Sequence, residues 1–507
     1  MLIGRRLASA TPPNRAVLFS ILLSAYLISY MVILAKNIDI PYLWYDEAGQ
    51  FWIAKGLNHD SDPLQDPGSL MDVIWNNAHY NMDPGGFGIL LHFWTKLSNS
   101  YLWLRFLPFL FMFLTSETFI ELAFQWTDNS LIAIAMGFLP LLHFEFLDMG
   151  FEIRAYSMEY LGVAIGIYSI FALSRKLSPG RLLLAGCIMG IFMTSRYAIS
   201  VVYFFTGLYV LFLIIKDNAN TAYRIRSLMA YVLPQCASLA LSYIFALRIQ
   251  NPGLEKMGYL PYLSENWRLL VSPTNHAGYL LAILVMAFIL VLNQRIFHGV
   301  FHKYQPLLFV AVSSNFGFMI LSFAGKYPWD PFLRGGQVYY ILILLCVAAI
   351  LGELFKLAFN LPEAAAAAVL ISALALSMYL VRKNFTIRQT IDNSTTFFTC
   401  LESLDFSAYD RIFVDRLESP KVRYLFEYGE LASQWDDAYP ENFTFAKSLP
   451  HNQLLFNYHE VIEEQPYMND LMTYDLLITT ELYRRGQNDN WVALKDCDQL
   501  AFVPRSE

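Results

Sequence analysis

Charged side chains are scarce in this sequence. Only 15% of its 507 residues are Asp, Glu, Lys or Arg, while 56% are hydrophobic, a balance that excludes an ordinary water-soluble domain. Positive charge is not in excess either: the formal net charge is -7, but it is concentrated in the C-terminal region and so says nothing about nucleic acid; no nucleic-acid partner is expected. Cysteine is limited to five residues with no CxxC pair, which removes the common zinc and thioredoxin-like patterns. Cys187, Cys236 and Cys346 fall in apolar runs. Cys400 and Cys497 lie in the polar tail, where an oxidising compartment would bond them and a reducing one would leave two thiols. No strand precedes the glycines of "NNAHYNMDPGGFG" (76–88), so they form no phosphate-cradling fingerprint, and no nucleotide site is visible. A small-residue cleavage site after the first apolar run is missing too, and that run reads as a retained helix. The sequence has no internal repeat of solenoid or inverted-transporter type.

Long apolar runs are what the chain has. A bilayer core of about 30 Å needs roughly 20 apolar helical residues, and runs of that kind recur from Ala16 to Val381. They predict an α-helical polytopic membrane protein of about eleven spans, near 16–36, 102–125, 130–147, 156–174, 181–195, 197–215, 227–249, 277–293, 305–324, 337–357 and 362–381. Arg5, Arg6 and Arg15 precede the first span and place the N-terminus in the cytoplasm. The basic loops around Arg175, Arg224 and Lys303 then fall on the same side. The loop 37–85 falls outside, with eight acids against Lys55 alone. This parity requires that Gly86 to Leu97 not cross; at about 1.5 Å per residue it is too short, and it fits an interfacial helix.

The last 126 residues carry 21 of the 42 acids but 12 of the 35 bases. Residues 1–381 are therefore read as the membrane domain and 382–507 as a small extracytoplasmic α/β domain. Its expected strands are "RIFVD", "NFTFA", "YDLLIT" and "QLAFV", and its expected helix is "KVRYLFEYGE".

Within the outer loop, "PYLWYDEAGQFWIAKGL" (41–57) sets Asp46 beside Glu47 among aromatics. Adjacent residues point in different directions on any regular element, so two roles fit better than one. A solvated carboxylate pair is the bland reading; the functional reading is that Trp44, Tyr45, Phe51 and Trp52 partly desolvate the pair and raise its basicity. A second cluster, "HFEFLDMGFEIRAYSMEY" (143–160), places Glu152 and Tyr156 one helical turn apart with Arg154 between them. Arg154 forms either a structural ion pair or a phosphate grip. His143, Glu145 and Asp148 match no specific metal spacing. Arg196 is an outer-turn cation, joined by Arg268, Lys326 and Arg334. His79 and Asp83 have the i,i+4 spacing of metal or substrate ligands if helical, but Pro84 disfavours helix at Asp83. Divalent metal dependence stays open. Glu117 and Glu121 share a face of an apolar helix and point to the rival function of a transporter or flippase for lipid-linked sugars.

The order of these motifs resembles a family. A first helix is followed by W-x-D-E in the outer loop, a turn before a short helix, R-x-x-P (Arg105 to Pro108 in "LRFLPFL"), and E-x-R-x-Y in the next outer loop. The arrangement looks like the GT-C membrane glycosyltransferases, in the group that includes protein O-mannosyltransferases and the lipid A aminoarabinose transferase. The resemblance implies inverting transfer of one sugar from a polyprenyl-phosphate donor to a glycan, lipid or protein acceptor, at the outer face of a bacterial inner membrane. It implies Asp46 as general base and Glu47 as a positioning residue. Glu152, Arg154 and Tyr156 would line donor phosphate and sugar, with Arg196 among the phosphate cations. Where relatives often read H-P-P-L, this chain has Asp83-Pro84-Gly85-Gly86, a departure that puts a transferred histidine role, metal binding included, in doubt, with His79 the one candidate substitute.

Overall fold

The computed structural model describes residues 16–250 except 39, 59–60, 143 and 218–219, then 294–324, 337–358, and in the C-terminal region 397–415, 418–434, 439, 441–445, 474–478, 491–494, 497 and 501–504. The expected spans 277–293 and 362–381, the boundary at 382, and Arg268, Lys326 and Arg334 lie outside the described residues.

Helix α1 (Ala16–Ile38) is followed by three short helices, α2 (Tyr45–Ala54), α3 (Leu70–Tyr80) and α4 (Gly86–Thr95). The long α5 (Tyr101–Thr127) starts at the Ser100 cap and stops at Asp128, whose left-handed φ of 55° turns the chain. Then come α6 (Ser130–Gly137), α7 (Phe144–Gly150), α8 (Tyr156–Arg175), α9 (Pro179–Met193) and α10 (Ala198–Lys216). Helix α11 (Thr221–Ser242) continues through a π-helical turn, Tyr243–Leu247, as far as Gln250. Helices α12 (Gln294–Phe323) and α13 (Gln337–Ala358) complete the described bundle. Among the described residues, six helices are long and apolar enough to cross a membrane.

One sequence expectation changes here. The run 130–147 is not one span: α6 ends at Gly137, and Pro140, which has no N–H to donate, opens a 3-10 turn before α7. The run 181–195 forms a 15-residue helix begun by Ser178 and Pro179. It packs against α11 almost backbone to backbone, since a Cβ on Gly186 would lie 2.4 Å from the Tyr231 carbonyl oxygen. The segment expected not to cross is the ten-residue α4, which buries Phe87 and Leu91 and leaves Phe93 exposed.

The C-terminal region forms a mixed five-stranded sheet in the order β2-β1-β3-β5-β4, with β1 Ile412–Val414, β2 Phe443–Phe445, β3 Leu476–Ile478, β4 Trp491–Ala493 and β5 Ala501–Pro504. Strand β1 runs parallel to β2 and β3, while β5 runs antiparallel to β3 and β4. All four expected strands are present, as is the helix α14 (Ser419–Glu427); β4 is additional. Cys400 and Cys497 are disulfide-bonded. The hydrophobic cluster behind the sheet, including Ile412, Val414, Leu425 and Leu476, also takes in Ile40 and Tyr42 from the segment just before α2.

Candidate active site

Asp46 and Glu47, neighbours in sequence, enter two different environments. Glu47 points inward and is 1% exposed. Its Oε1 accepts from Arg105 Nη1 at 2.7 Å and from the Ile153 N–H at 3.0 Å; Oε2 accepts from Arg105 Nη2 at 2.9 Å and from the Trp44 N–H at 3.3 Å. Arg105, equally buried, also donates to the carbonyls of Tyr42 at 3.0 Å and Phe151 at 3.3 Å. One bidentate, fully dry ion pair thus ties α2, α5 and the loop 151–155 together.

Asp46 points the other way, toward Arg154, with 3.5 Å between Oδ2 and Nη1. The opposite nitrogen of Arg154 lies 3.7 Å from Asp83 Oδ2, and Asp83 Oδ1 meets Arg196 Nε at 3.3 Å. Arg196 reaches Glu159 Oε2 at 3.3 Å and stacks its guanidinium 4.4 Å over the Tyr156 ring. The result is a row of alternating charge, Asp46, Arg154, Asp83, Arg196 and Glu159, drawn from four stretches of the chain. Its first links are long compared with a hydrogen bond of about 2.9 Å, in contrast to the tight Glu47 pair. Arg154 Nε is buried with no hydrogen-bond partner among the described residues. Burial works against the charge of Arg154, but Asp46, Tyr156, Asp83 and Glu152 around it outweigh that penalty and hold its pKa above the ordinary arginine value. It is a permanent cation.

The Asp83 turn is held by amides. Asn77 Nδ2 and Gln250 Nε2 both donate to the Asp83 carbonyl, at 2.8 and 2.9 Å, while Tyr197 orients Gln250 through a 2.7 Å bond. Asn81 bridges Asn77 to Gln50 of α2 with two 3.0 Å bonds. Gly85 adopts φ 100°, and a Cβ on Gly86 would sit 1.9 Å from Thr194 Oγ1. These glycines are required by the close approach of the turn to its supports.

Other expected residues are placed as follows. Helix α8 begins only at Tyr156, so Glu152 and Tyr156 are not on one helical turn; residues 151–155 make a tight loop in which the Arg154 N–H donates to the Glu152 carbonyl at 2.7 Å. Both Glu152 and Tyr156 are buried beside the charge row. His79 and Asp83 are not one helical turn apart either, because α3 ends at Tyr80. His79 stacks on Trp75 at 4.1 Å and bonds its carbonyl through Nδ1 at 2.8 Å. Among the described residues no group of three His, Cys, Asp or Glu gathers as metal ligands. Sequence reasoning gave no role to Arg105, Glu159, Asn77 or Gln250. A buried arginine in an apolar helix is itself a signal that a carboxylate partner exists elsewhere.

A helical membrane bundle carrying this row at the end capped by an α/β sheet domain defines the class: the chain is an integral membrane protein with the GT-C fold. Among solved structures it is similar to ArnT from Cupriavidus metallidurans bound to undecaprenyl phosphate, with 10% identity over 97% of this chain and 98% of that one and a TM-score of 0.53. ArnT in the apo state gives 11% identity over 97% of each chain and a TM-score of 0.51. No family model and no curated protein sequence matches the chain.

Proposed function

We propose that this protein is an inverting glycosyltransferase that moves a single sugar from a polyprenyl phosphate to an extracytoplasmic acceptor. The observation that carries this reading is the 3.5 Å approach of Asp46 to Arg154, with Asp83 and Arg196 completing the row. Asp46 takes the proton of the acceptor hydroxyl as its oxygen bonds the anomeric carbon. On the far side of that carbon the bond to the phosphate oxygen breaks, and the leaving polyprenyl phosphate keeps the electron pair. Arg154 and Arg196 receive that oxygen's growing charge, an interaction that strengthens on the way to the transition state and so accelerates the step. Glu47 and Arg105 fix the helix and loop that carry the base and the cation. The donor class is supported by the undecaprenyl phosphate bound in the structurally similar ArnT. The extracytoplasmic site is supported by the positive-inside count and by the Cys400 to Cys497 bond, which needs an oxidising compartment. The location proposed with it is a bacterial plasma membrane.

Mass spectrometry of lipid-linked sugars that accumulate in cells lacking the protein identifies the donor. With that donor and purified protein in nanodiscs, Asp46→Asn should fold normally and stop sugar loss from the lipid. Undiminished turnover by Asp46→Asn refutes the base assignment. Movement of labelled donor across liposomes with no change in its mass would replace the transferase by a flippase.

A further inference from the structure

We propose that Arg423, in the C-terminal region, is a positioning residue for the helix that carries Asp46 and Glu47. Its guanidinium is fully buried, and a buried cation is costly unless its donors are met. Within its own region it meets Glu427, which accepts from Nε at 3.1 Å, and Tyr439. Further partners lie in the segment that carries α2 and the residues just after it. Nη1 donates to the Asn58 carbonyl at 3.5 Å, Nη2 to the Asp62 carbonyl at 3.2 Å, and the guanidinium plane covers the Trp52 ring at 4.1 Å.

The rest of α14 strengthens the same grip. The Trp52 indole N–H donates to the Pro420 carbonyl at 3.0 Å. Tyr424 packs edge-on against Phe51 at 5.0 Å and donates its hydroxyl to the Asn99 carbonyl at 3.1 Å. Tyr428 covers Phe51 at 5.3 Å and receives the Lys55 ammonium over its face at 5.0 Å. At 3.6 residues per turn, Phe51 and Trp52 stand about 140° and 240° around the helix from Asp46. They straddle the face opposite the acid, so α14 holds α2 from behind while the Glu47 pair holds it from the side. Helix α2 is only ten residues long, too short to keep its rotation without such contacts. A small rotation would carry Asp46 away from Arg154 without touching Arg154 or Arg196.

The kinetic half of this proposal rests on the transferase reading; the structural half does not. The test uses the full-length chain in nanodiscs with Arg423→Ala and Arg423→Lys. In Arg423→Ala, amide hydrogen exchange across 44–57 should rise about tenfold while 412–427 keeps its protection. Binding of undecaprenyl phosphate should match wild type, whereas kcat should fall by about 100-fold at unchanged KM, and Arg423→Lys should recover part of it. Unchanged exchange in 44–57 overturns the proposal, and so does a loss of protection spread evenly over 397–504, which would make Arg423 a stabiliser of its own domain. If Arg423→Ala does not accumulate, Arg423→Lys, which keeps the charge but lacks the fork that spans Glu427, Asn58 and Asp62, must show a smaller rise confined to 44–57; no rise there is equally fatal. A wild-type protein that binds undecaprenyl phosphate but transfers no sugar would remove the proposed function and leave the exchange result standing.

Discussion

Glu47→Gln removes one unit of charge from an ion pair whose two side chains are each 1% exposed. The amide keeps one acceptor oxygen but turns an NH2 group toward the guanidinium or toward the Ile153 and Trp44 N–H groups, all of them donors. Arg105 is then a buried cation without its counter-charge. Removing one partner of a buried pair costs about 3–5 kcal/mol, which is about two to three and a half powers of ten in a folding equilibrium. Replacing both, as Glu47→Gln with Arg105→Met, leaves no stranded charge and should cost less than the sum of the single changes. Asp46→Asn, one residue away, alters a long contact with a side chain 18% exposed, so its stability cost should stay within about 1 kcal/mol while turnover is lost. The assay is thermal unfolding of the purified variants in one detergent, run as a double-mutant cycle. Equal destabilisation by Glu47→Gln and Asp46→Asn, or strict additivity of the Glu47 and Arg105 changes, would refute the division of the two acids into anchor and base.

Asp83→Asn should free Arg154 and Arg196 from a shared carboxylate and tighten undecaprenyl phosphate, by up to about tenfold for loss of a like charge at a partly buried site; calorimetry showing weaker binding would mean that Asp83 assists the ligand. Gly86→Ala forces a methyl onto Thr194 and should cost about 1–3 kcal/mol, measured by thermal unfolding, with Thr194→Ala recovering part. Cys400→Ser should destabilise the sheet domain by about 2–5 kcal/mol, read as earlier proteolysis of the C-terminal region; wild-type resistance would make the disulfide dispensable.

Local chemistry was legible in the sequence. Adjacency alone separates Asp46 from Glu47, because successive α-carbons aim their side chains apart. The strands β1, β2, β3 and β5 stand out as short apolar runs between turn residues, whereas β4, around Trp491, is three residues long in a polar stretch and gives no such contrast. Hydropathy merged α6 and α7 into one span because an average over the window hides a single Pro140. The partners of Glu47 and Asp83 could not be read: Arg105 lies 58 residues away and Arg196 lies 113 residues away, and no periodicity encodes which buried acid meets which distant arginine. Glu159 was missed for the same reason, although it sits one turn beyond Tyr156.

Ile40 and Tyr42 are interior residues of a sheet domain whose strands are made long after them, and Trp52 bonds a carbonyl 368 residues further along. Translation runs from the N-terminus, and earlier segments fold first. The helix bearing the proposed base therefore leaves the ribosome long before its seat exists. A nascent chain stopped before α14 would carry every charged residue of the row yet lack the contacts that lock α2, so competence for chemistry waits on a segment made long after the base.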